Sequence, residues 1–271
     1  MPVPLLHIDA FTDRPFAGNP AAVCLLRAPA PDSWMQALAA EMNLSETAFP
    51  LPEGEGYNLR WFTPAVEVDL CGHATIATSH ALWETGRAPR DAALHFHSRS
   101  GPLTARWKGG WIELDFPSRR SERSERTPDL EDALGVRATR VERAGHDLLV
   151  EVESAAGVRE ARPDPTHLTR LGVHGVIITS SSDDPRYDFV SRYFAPGVGI
   201  PEDPVTGSAH CALGPYWERR LGKAEFLAYQ ASARGGVVGV SVRGERVLLR
   251  GQAVTVFRSE IAEPQAAAAI P

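Results

Sequence analysis

Short apolar runs bounded by turn-forming residues recur along the chain, the pattern of strands. Val3 to Ile8 is the first such run; it leads into the turn-rich stretch Phe16-Ala17-Gly18-Asn19-Pro20, and a second strand follows at Ala21 to Leu26. Residues 32–42 begin with the N-cap signal Asp32-Ser33 and carry a helical pattern. Leu103–Trp107 and Trp111–Phe116 flank Lys108-Gly109-Gly110, and Val237–Val242 and Arg246–Leu249 flank Arg243-Gly244-Glu245. Both read as hairpins. The closing Pro264–Pro271 stretch, with four consecutive alanines, reads as a frayed tail.

An internal echo organises the rest. Arg60-Trp-Phe-Thr-Pro-Ala-Val66 and Arg192-Tyr-Phe-Ala-Pro-Gly-Val198 share one pattern 132 positions apart, and Gly72-His73-Ala74 pairs with Gly207-Ser208-Ala209 135 positions apart. Each is followed by a helix-like stretch, one near 73–86 and one near 207–221, with Gly86 and Gly222 as stop signals. Two similar halves are predicted, 1–117 and 128–271. Between them lies 118–127, charged, free of large apolar residues and closed by prolines, which reads as a linker or exposed loop.

Composition narrows the function classes. The 271-residue chain carries 28 Lys+Arg against 34 Asp+Glu, a net charge of −6, which does not suit a nucleic-acid binder. Its three cysteines, Cys24, Cys71 and Cys211, form no disulfide framework and no C-x-x-C pair, as expected of a reducing cytoplasm. No secretory leader or membrane-spanning run is recognisable, so a cytoplasmic protein without membrane partners is expected.

The candidate chemistry sits at the two helix entrances. A helix N-terminus presents unpaired N–H groups and a positive dipole end, and Gly72 and Gly207 would let a ligand approach the backbone. If the halves face each other, one cleft receives both ends and a small carboxylate is the expected ligand; the alternative is that each glycine only fits a tight loop-to-helix entry. Nucleotide-binding glycine motifs are absent, and Asp203, Ser208 and His210 do not make a hydrolase triad. His95 and His97 share a strand face but lack further ligands at helpful spacing, so no metal is expected. In Asn43–Phe49 a single carboxylate, Glu46, sits in a weakly polar segment. It is either an exposed strand-edge residue or a partly desolvated acid of raised pKa, suited to proton exchange with carbon acids.

Asp9-Ala-Phe-Thr12, Gly18-Asn-Pro-Ala-Ala-Val23, Ser45-Glu-Thr-Ala-Phe49, Arg60-Trp-Phe-Thr-Pro64, Cys71-Gly-His-Ala-Thr75 and Glu202-Asp-Pro-Val-Thr-Gly-Ser208 together resemble the PhzF phenazine-biosynthesis isomerase family. The resemblance implies an α+β, diaminopimelate-epimerase-like fold: two pseudo-symmetric domains, each a curved, mostly antiparallel sheet around a central helix. It implies proton transfer without a cofactor on a small, amino-bearing or cyclic carboxylate, in a homodimer. By the same resemblance Glu46 is the acid/base, with His73 and Asp203 as active-site partners. Gly72, His73, Gly207 and Ser208 would bind the substrate carboxylate, and Asn19 would contribute to the wall. Related racemases use a cysteine at each helix entrance. Here Cys71 resembles the first, whereas the second entrance carries Asp203-Pro204-Val205, which disfavours a two-thiol mechanism and makes Cys71 a buried small residue. Leu249-Arg250-Gly251 departs from the family in carrying an arginine where a glycine is common. An amino- or hydroxy-acid epimerase using Cys71 or Glu46 with Asp203, and a non-catalytic carboxylate binder, are the alternatives.

Overall fold

The computed structural model describes residues 2–263; the tail expected at Pro264–Pro271 lies outside the described residues. The chain divides into two compact units, one running from the N-terminus to Asp115 and resuming at Gly251, the other Phe116–Arg250. The architecture is mixed α+β, dominated by strands.

The first unit contains β1 (Val3–Ala10), β2 (Asn19–Cys24), α1 (Asp32–Met42), β3 (Glu46–Glu53), β4 (Gly56–Phe62), β5 (Glu67–Val68), α2 (Gly72–Glu84), β6 (Leu94–Ser98), β7 (Gly101–Lys108) and β8 (Trp111–Pro117). Its sheet runs β1-β2-β3-β4-β6-β7-β8, with β2–β3 and β4–β6 parallel and the other neighbours antiparallel; β5 adds two residues to β4. A parallel pair needs a crossover. Here α1 bridges the first, and β5 with α2 the second.

Ten residues of α2 are buried, and most are small: Ala74, Thr75, Ala77, Thr78, Ser79 and Ala81 let strands approach on several sides. A helix apolar all round belongs inside its domain. Its three hydroxyls face no water, and each donates to the carbonyl four residues back, Thr75 to Cys71 (2.6 Å), Thr78 to Ala74 (2.7 Å) and Ser79 to Thr75 (2.8 Å). The amphipathic α1 instead covers an outer layer in which Met35 and Ala39 pack with Val3, Leu5, Phe49 and Phe62.

The second unit contains β9 (Glu122–Arg123), α3 (Pro128–Leu134), β10 (Ala138–Ala144), β11 (Asp147–Val152), α4 (Ala155–Glu160), α5 (Pro165–Arg170), β12 (Gly175–Ser181), β13 (Phe189–Ala195), β14 (Ile200–Asp203), α6 (Gly207–Leu221), β15 (Glu225–Gln230), β16 (Gly236–Arg243) and β17 (Arg246–Gly251, whose last residue opens the return to the first unit). The order is β9-β10-β11-β12-β13-β15-β16-β17, parallel at β11–β12 and β13–β15 and antiparallel elsewhere, with β14 added to β13. From β10 onward this repeats the first unit's order and strand directions. The internal echo therefore marks a duplicated topology.

The chain ends its described course as β18 (Ala253–Ile261), which returns to pair antiparallel with β1. The sequence expectation kept 128–271 together; strand pairing carries this last segment to the first unit instead. The charged stretch 118–127 is docked rather than loose. Arg119 pairs with the buried Asp147 (3.1 Å), Ser121 donates to Glu142 (2.6 Å), and Glu122–Arg123 pair with β10. Pro215 inside α6 cannot bond the Cys211 carbonyl, and the Arg119 N–H takes that acceptor at 3.0 Å. Gly214 brings the helix onto β16, since a Cβ there would lie 2.9 Å from Val240.

Candidate active site

In the first unit three side chains from separate sequence motifs converge. Asn43 ends α1 in the left-handed conformation (φ 48°), and three residues later Glu46 opens β3, in parallel register with Ala21 of β2. Cys71 is the extended residue before α2 (φ −143°, ψ 112°), and His73 is the second helical residue. Glu46 Oε2 lies 3.1 Å from His73 Nε2, and Cys71 Sγ lies 3.4 Å from His73 Nδ1. The imidazole thus stands between a carboxylate and a thiol. Glu46 is 9% exposed, Cys71 6% and His73 5%. The carboxylate is therefore not the exposed strand-edge residue of the first sequence reading. Its Oε2 is buried without an aligned hydrogen-bond donor.

The ionisation of this cluster is coupled. Burial works against a charged imidazole, but the Cys71 and Glu46 groups at its two nitrogens outweigh it and hold the His73 pKa well above the ordinary value. Burial pushes the Cys71 thiol up to about 11, the Glu46 carboxylate adds to that, and His73 opposes both. The cluster also has the composition of a metal site: one ligand atom from each of Glu46, Cys71 and His73 lies within 4.8 Å of the others.

Asn19 opens β2, one side chain away from the carboxylate, where Ser45 donates to its Oδ1 at 3.1 Å. Gly18 before it has φ 64°, and a Cβ there would lie 2.1 Å from the Ala10 carbonyl oxygen. Only glycine fits that turn. Gly72 is the first residue of α2, and no side chain caps this N-terminus.

The second unit builds a matching entrance from different residues. Asp203 ends β14, and Gly207 and Ser208 open α6, Gly207 buried and Ser208 exposed. Thr206 holds the place that Cys71 holds in the first unit, 135 positions earlier. Its hydroxyl donates to Asp203 Oδ2 at 2.5 Å and does not cap the helix. Gln230, fully buried at the end of β15, locks the loop by accepting from the Thr206 N–H (2.9 Å) and donating to the Asp203 carbonyl (2.8 Å). Sequence reasoning missed Gln230, which no motif marks.

Each unit also carries a clasp that the echo only half disclosed. Arg60 grips both carboxylate oxygens of Glu67 at 2.7 Å, and Arg192 grips Glu202 at 2.7 and 2.9 Å. Each glutamate lies five residues before its helix's first glycine. The two arginines sit over the rings of Phe62 and Phe194 at 5.1 and 4.8 Å. His95 and His97 both lie on the exposed face of β6 and join no cluster.

Comparisons with known proteins identify the family and the fold. The sequence model of a family described as "Phenazine biosynthesis-like protein" matches residues 8–259. An uncharacterized isomerase of Halalkalibacterium halodurans is 52% identical over 262 residues, covering 96% of this chain and 99% of that protein. The crystal structure of a PhzF-family phenazine biosynthesis protein from Enterococcus faecalis superposes with a TM-score of 0.93 at 43% identity, covering 97% of this chain and 100% of the other. A probable proline racemase from Agrobacterium radiobacter, 14% identical with a TM-score of 0.64 over 96% of this chain and 93% of its own, shares the fold. Among the described residues no helix is long and apolar enough to cross a membrane.

Proposed function

The chain belongs to the phenazine biosynthesis-like family, and from that premise we propose that it is a cofactor-independent isomerase moving a proton between carbons of a small carboxylate, with Glu46 as general acid/base. The observation that carries this reading is the buried contact of Glu46 with His73 at the uncapped entrance of α2. A carboxylate removed from bulk water can take a proton from an activated C–H and hold it for return to another carbon on the same face. His73, favoured as the imidazolium, steadies the carboxylate before the transfer and offsets its charge. The Gly72 and His73 N–H groups at the helix end are assigned to the substrate carboxylate and to the enolate-type charge that develops in the transition state. Asp203, Gly207 and Ser208 at the second entrance, and Asn19 beside Ser45, are assigned to substrate binding in the same reading, Asp203 also to proton relay.

The contact of Cys71 with His73 supports a second reading, an amino- or hydroxy-acid epimerase in which Cys71 is one of two bases. The raised thiol pKa weighs against it near neutral pH, because little thiolate is available. One experiment separates the two. The protein is incubated in D₂O with a panel of small carboxylates, including cyclic amino-bearing ones, and loss of C–H signals is followed by proton NMR. The isomerase reading expects Glu46→Gln to slow exchange by roughly 10²- to 10⁴-fold while Cys71→Ala keeps most of it. Abolition by Cys71→Ala with label at a stereocentre selects the epimerase. Near-full exchange by Glu46→Gln refutes its assigned role.

A further inference from the structure

We infer that Thr206 is a positioning residue for Asp203: its hydroxyl is withdrawn from capping α6 and committed to orienting the Asp203 carboxylate, and the Gln230 side chain fixes the direction of that hydrogen bond. The hydrogen-bond chain is argued from the second unit alone, whereas its effect on turnover rests on the part given to Asp203 in the reading above.

A threonine at an N-cap ordinarily accepts from the second or third N–H of its own helix and stabilises it. In the same unit the N-cap side chains of α3, α4 and α5 all do this: Thr127 accepts from Leu130, Ser154 from Gly157, and Asp164 from Thr166 and His167. Thr206 makes no such bond to α6. A hydroxyl has one proton, and here it goes to Asp203 Oδ2 at 2.5 Å. The side chain thus forgoes a stabilising contact at its own helix to hold a carboxylate that is only half-buried. Water can satisfy a carboxylate at that exposure; what Thr206 adds is a fixed orientation.

Gln230 removes the opposite direction. Its Oε1 takes the Thr206 backbone N–H at 2.9 Å, a group that can only donate. Its amide nitrogen therefore faces the Asp203 carbonyl at 2.8 Å and the Thr206 hydroxyl oxygen at 3.1 Å, and an amide NH₂ donates to both. The hydroxyl oxygen receives a hydrogen bond from Gln230, so its own proton is left for Asp203. The chain runs one way, from Gln230 through Thr206 to Asp203, and ends on a carboxylate, where a charge-assisted bond is strongest. Gln230 is fully buried and Thr206 nearly so. The loop backbone is held without the hydroxyl, by Gln230 at Asp203 and Thr206 and by Ser232, which donates to the Pro204 carbonyl at 2.7 Å. Loss of the hydroxyl should therefore release the carboxylate and leave the loop in place.

The test compares Thr206→Val, which keeps the shape and loses the donor, with Thr206→Ser, which keeps the donor. Crystal structures of wild type and both variants need no substrate. In Thr206→Val the Asp203 carboxylate is expected to leave its wild-type rotamer or to split between rotamers, with the 203–206 backbone unmoved; in Thr206→Ser it should stay. Thr206→Ala makes the same comparison should the valine variant not fold. A carboxylate that keeps its rotamer without the hydroxyl overturns the inference. With the small carboxylates of the D₂O panel as probes, kcat/KM for exchange should fall roughly 10- to 100-fold in Thr206→Val, and Thr206→Ser should restore most of it. Rates are taken per folded molecule, so a loss of stability alone leaves them unchanged. Wild-type exchange with a displaced carboxylate refutes the effect on turnover and leaves the hydrogen-bond chain standing. If the wild-type protein exchanges nothing, the isomerase reading fails while the crystal structures still decide whether Thr206 positions Asp203.

Discussion

Two buried histidines, one in each central helix, are held in opposite charge states by their surroundings. His73 has anionic company and is pushed toward the imidazolium. His210 has none: it stacks on Phe189 at 6.0 Å, its Nδ1–H donates to the Thr206 carbonyl at 2.8 Å, and its buried Nε2 faces no partner. Burial therefore lowers its pKa to about 4. A depressed basic group stabilises the fold above its unfolded pKa of about 6.5, and that contribution is lost progressively as pH falls toward 4. The span corresponds to about 3 kcal/mol. The raised His73 has the opposite sign: its contribution is complete below about 6.5 and fades as pH rises through the folded value. Urea unfolding of His210→Gln should thus show a shallower loss of stability than wild type between pH 6.5 and 4. Parallel curves would mean that His210 does not carry the acid limb. At this scale Glu46 and His73 were legible because each sits in a contiguous motif. Cys71 reads as a buried small residue, or in the epimerase alternative as a base, and it is buried; nothing in Cys71-Gly72-His73 says that the imidazole turns one nitrogen toward the sulfur. Gln230 was invisible because only the pairing of β15 with β13 brings it to Asp203.

Elements explain why the two entrances hold their shape without helix caps. A side-chain cap would occupy the N–H groups that a ligand needs, so the loop before the helix has to be held from elsewhere. Arg60–Glu67 and Arg192–Glu202 do this from the neighbouring strand, each by a two-pronged contact. Arg192 also donates to the Ala161 carbonyl at 3.0 Å, which ties α4 to the same point. Arg192→Ala leaves the partly buried Glu202 unpaired and should cost about 1–3 kcal/mol. Arg192→Lys should recover little, because an ammonium cannot span both oxygens. Chemical denaturation midpoints check both; if both variants unfold like wild type, the clasp is decorative. The arginines were plain in the echo, but their glutamates were not, because the intervening loops differ by three residues and the offset shifts from 132 to 135. Element boundaries fared better: the helix expected at 32–42 is Asp32–Met42, the one near 207–221 is Gly207–Leu221, and the one near 73–86 is Gly72–Glu84.

At the scale of the whole molecule, the duplicated topology is completed differently in the two units. In the second unit the strand beside β10 is β9, two residues laid down just before it. In the first unit the strand beside β1 is β18, which arrives from the far end of the chain and pairs along all of β1. Short-range sequence patterns disclosed the duplication but not this return, because a strand's partner is set by the sheet and not by its neighbours in sequence. The second unit is therefore contiguous, with its own core of Leu130, Leu134, Val141, Val150, Val158, Ile178 and Phe194 under α3, α4 and α5. The first unit depends on a strand that follows the whole second unit in the chain. A fragment spanning 116–250 should accordingly fold alone, with a cooperative thermal transition and strand-rich circular dichroism. A fragment spanning 1–115 should not, since losing β18 strips β1 of an eight-residue ladder and leaves a long open edge that promotes aggregation. Adding residues 251–263 as a separate peptide should restore its solubility if the missing strand is the cause. A soluble, cooperatively folding 1–115 fragment would show instead that β18 is dispensable and that the first unit is complete without the chain's return.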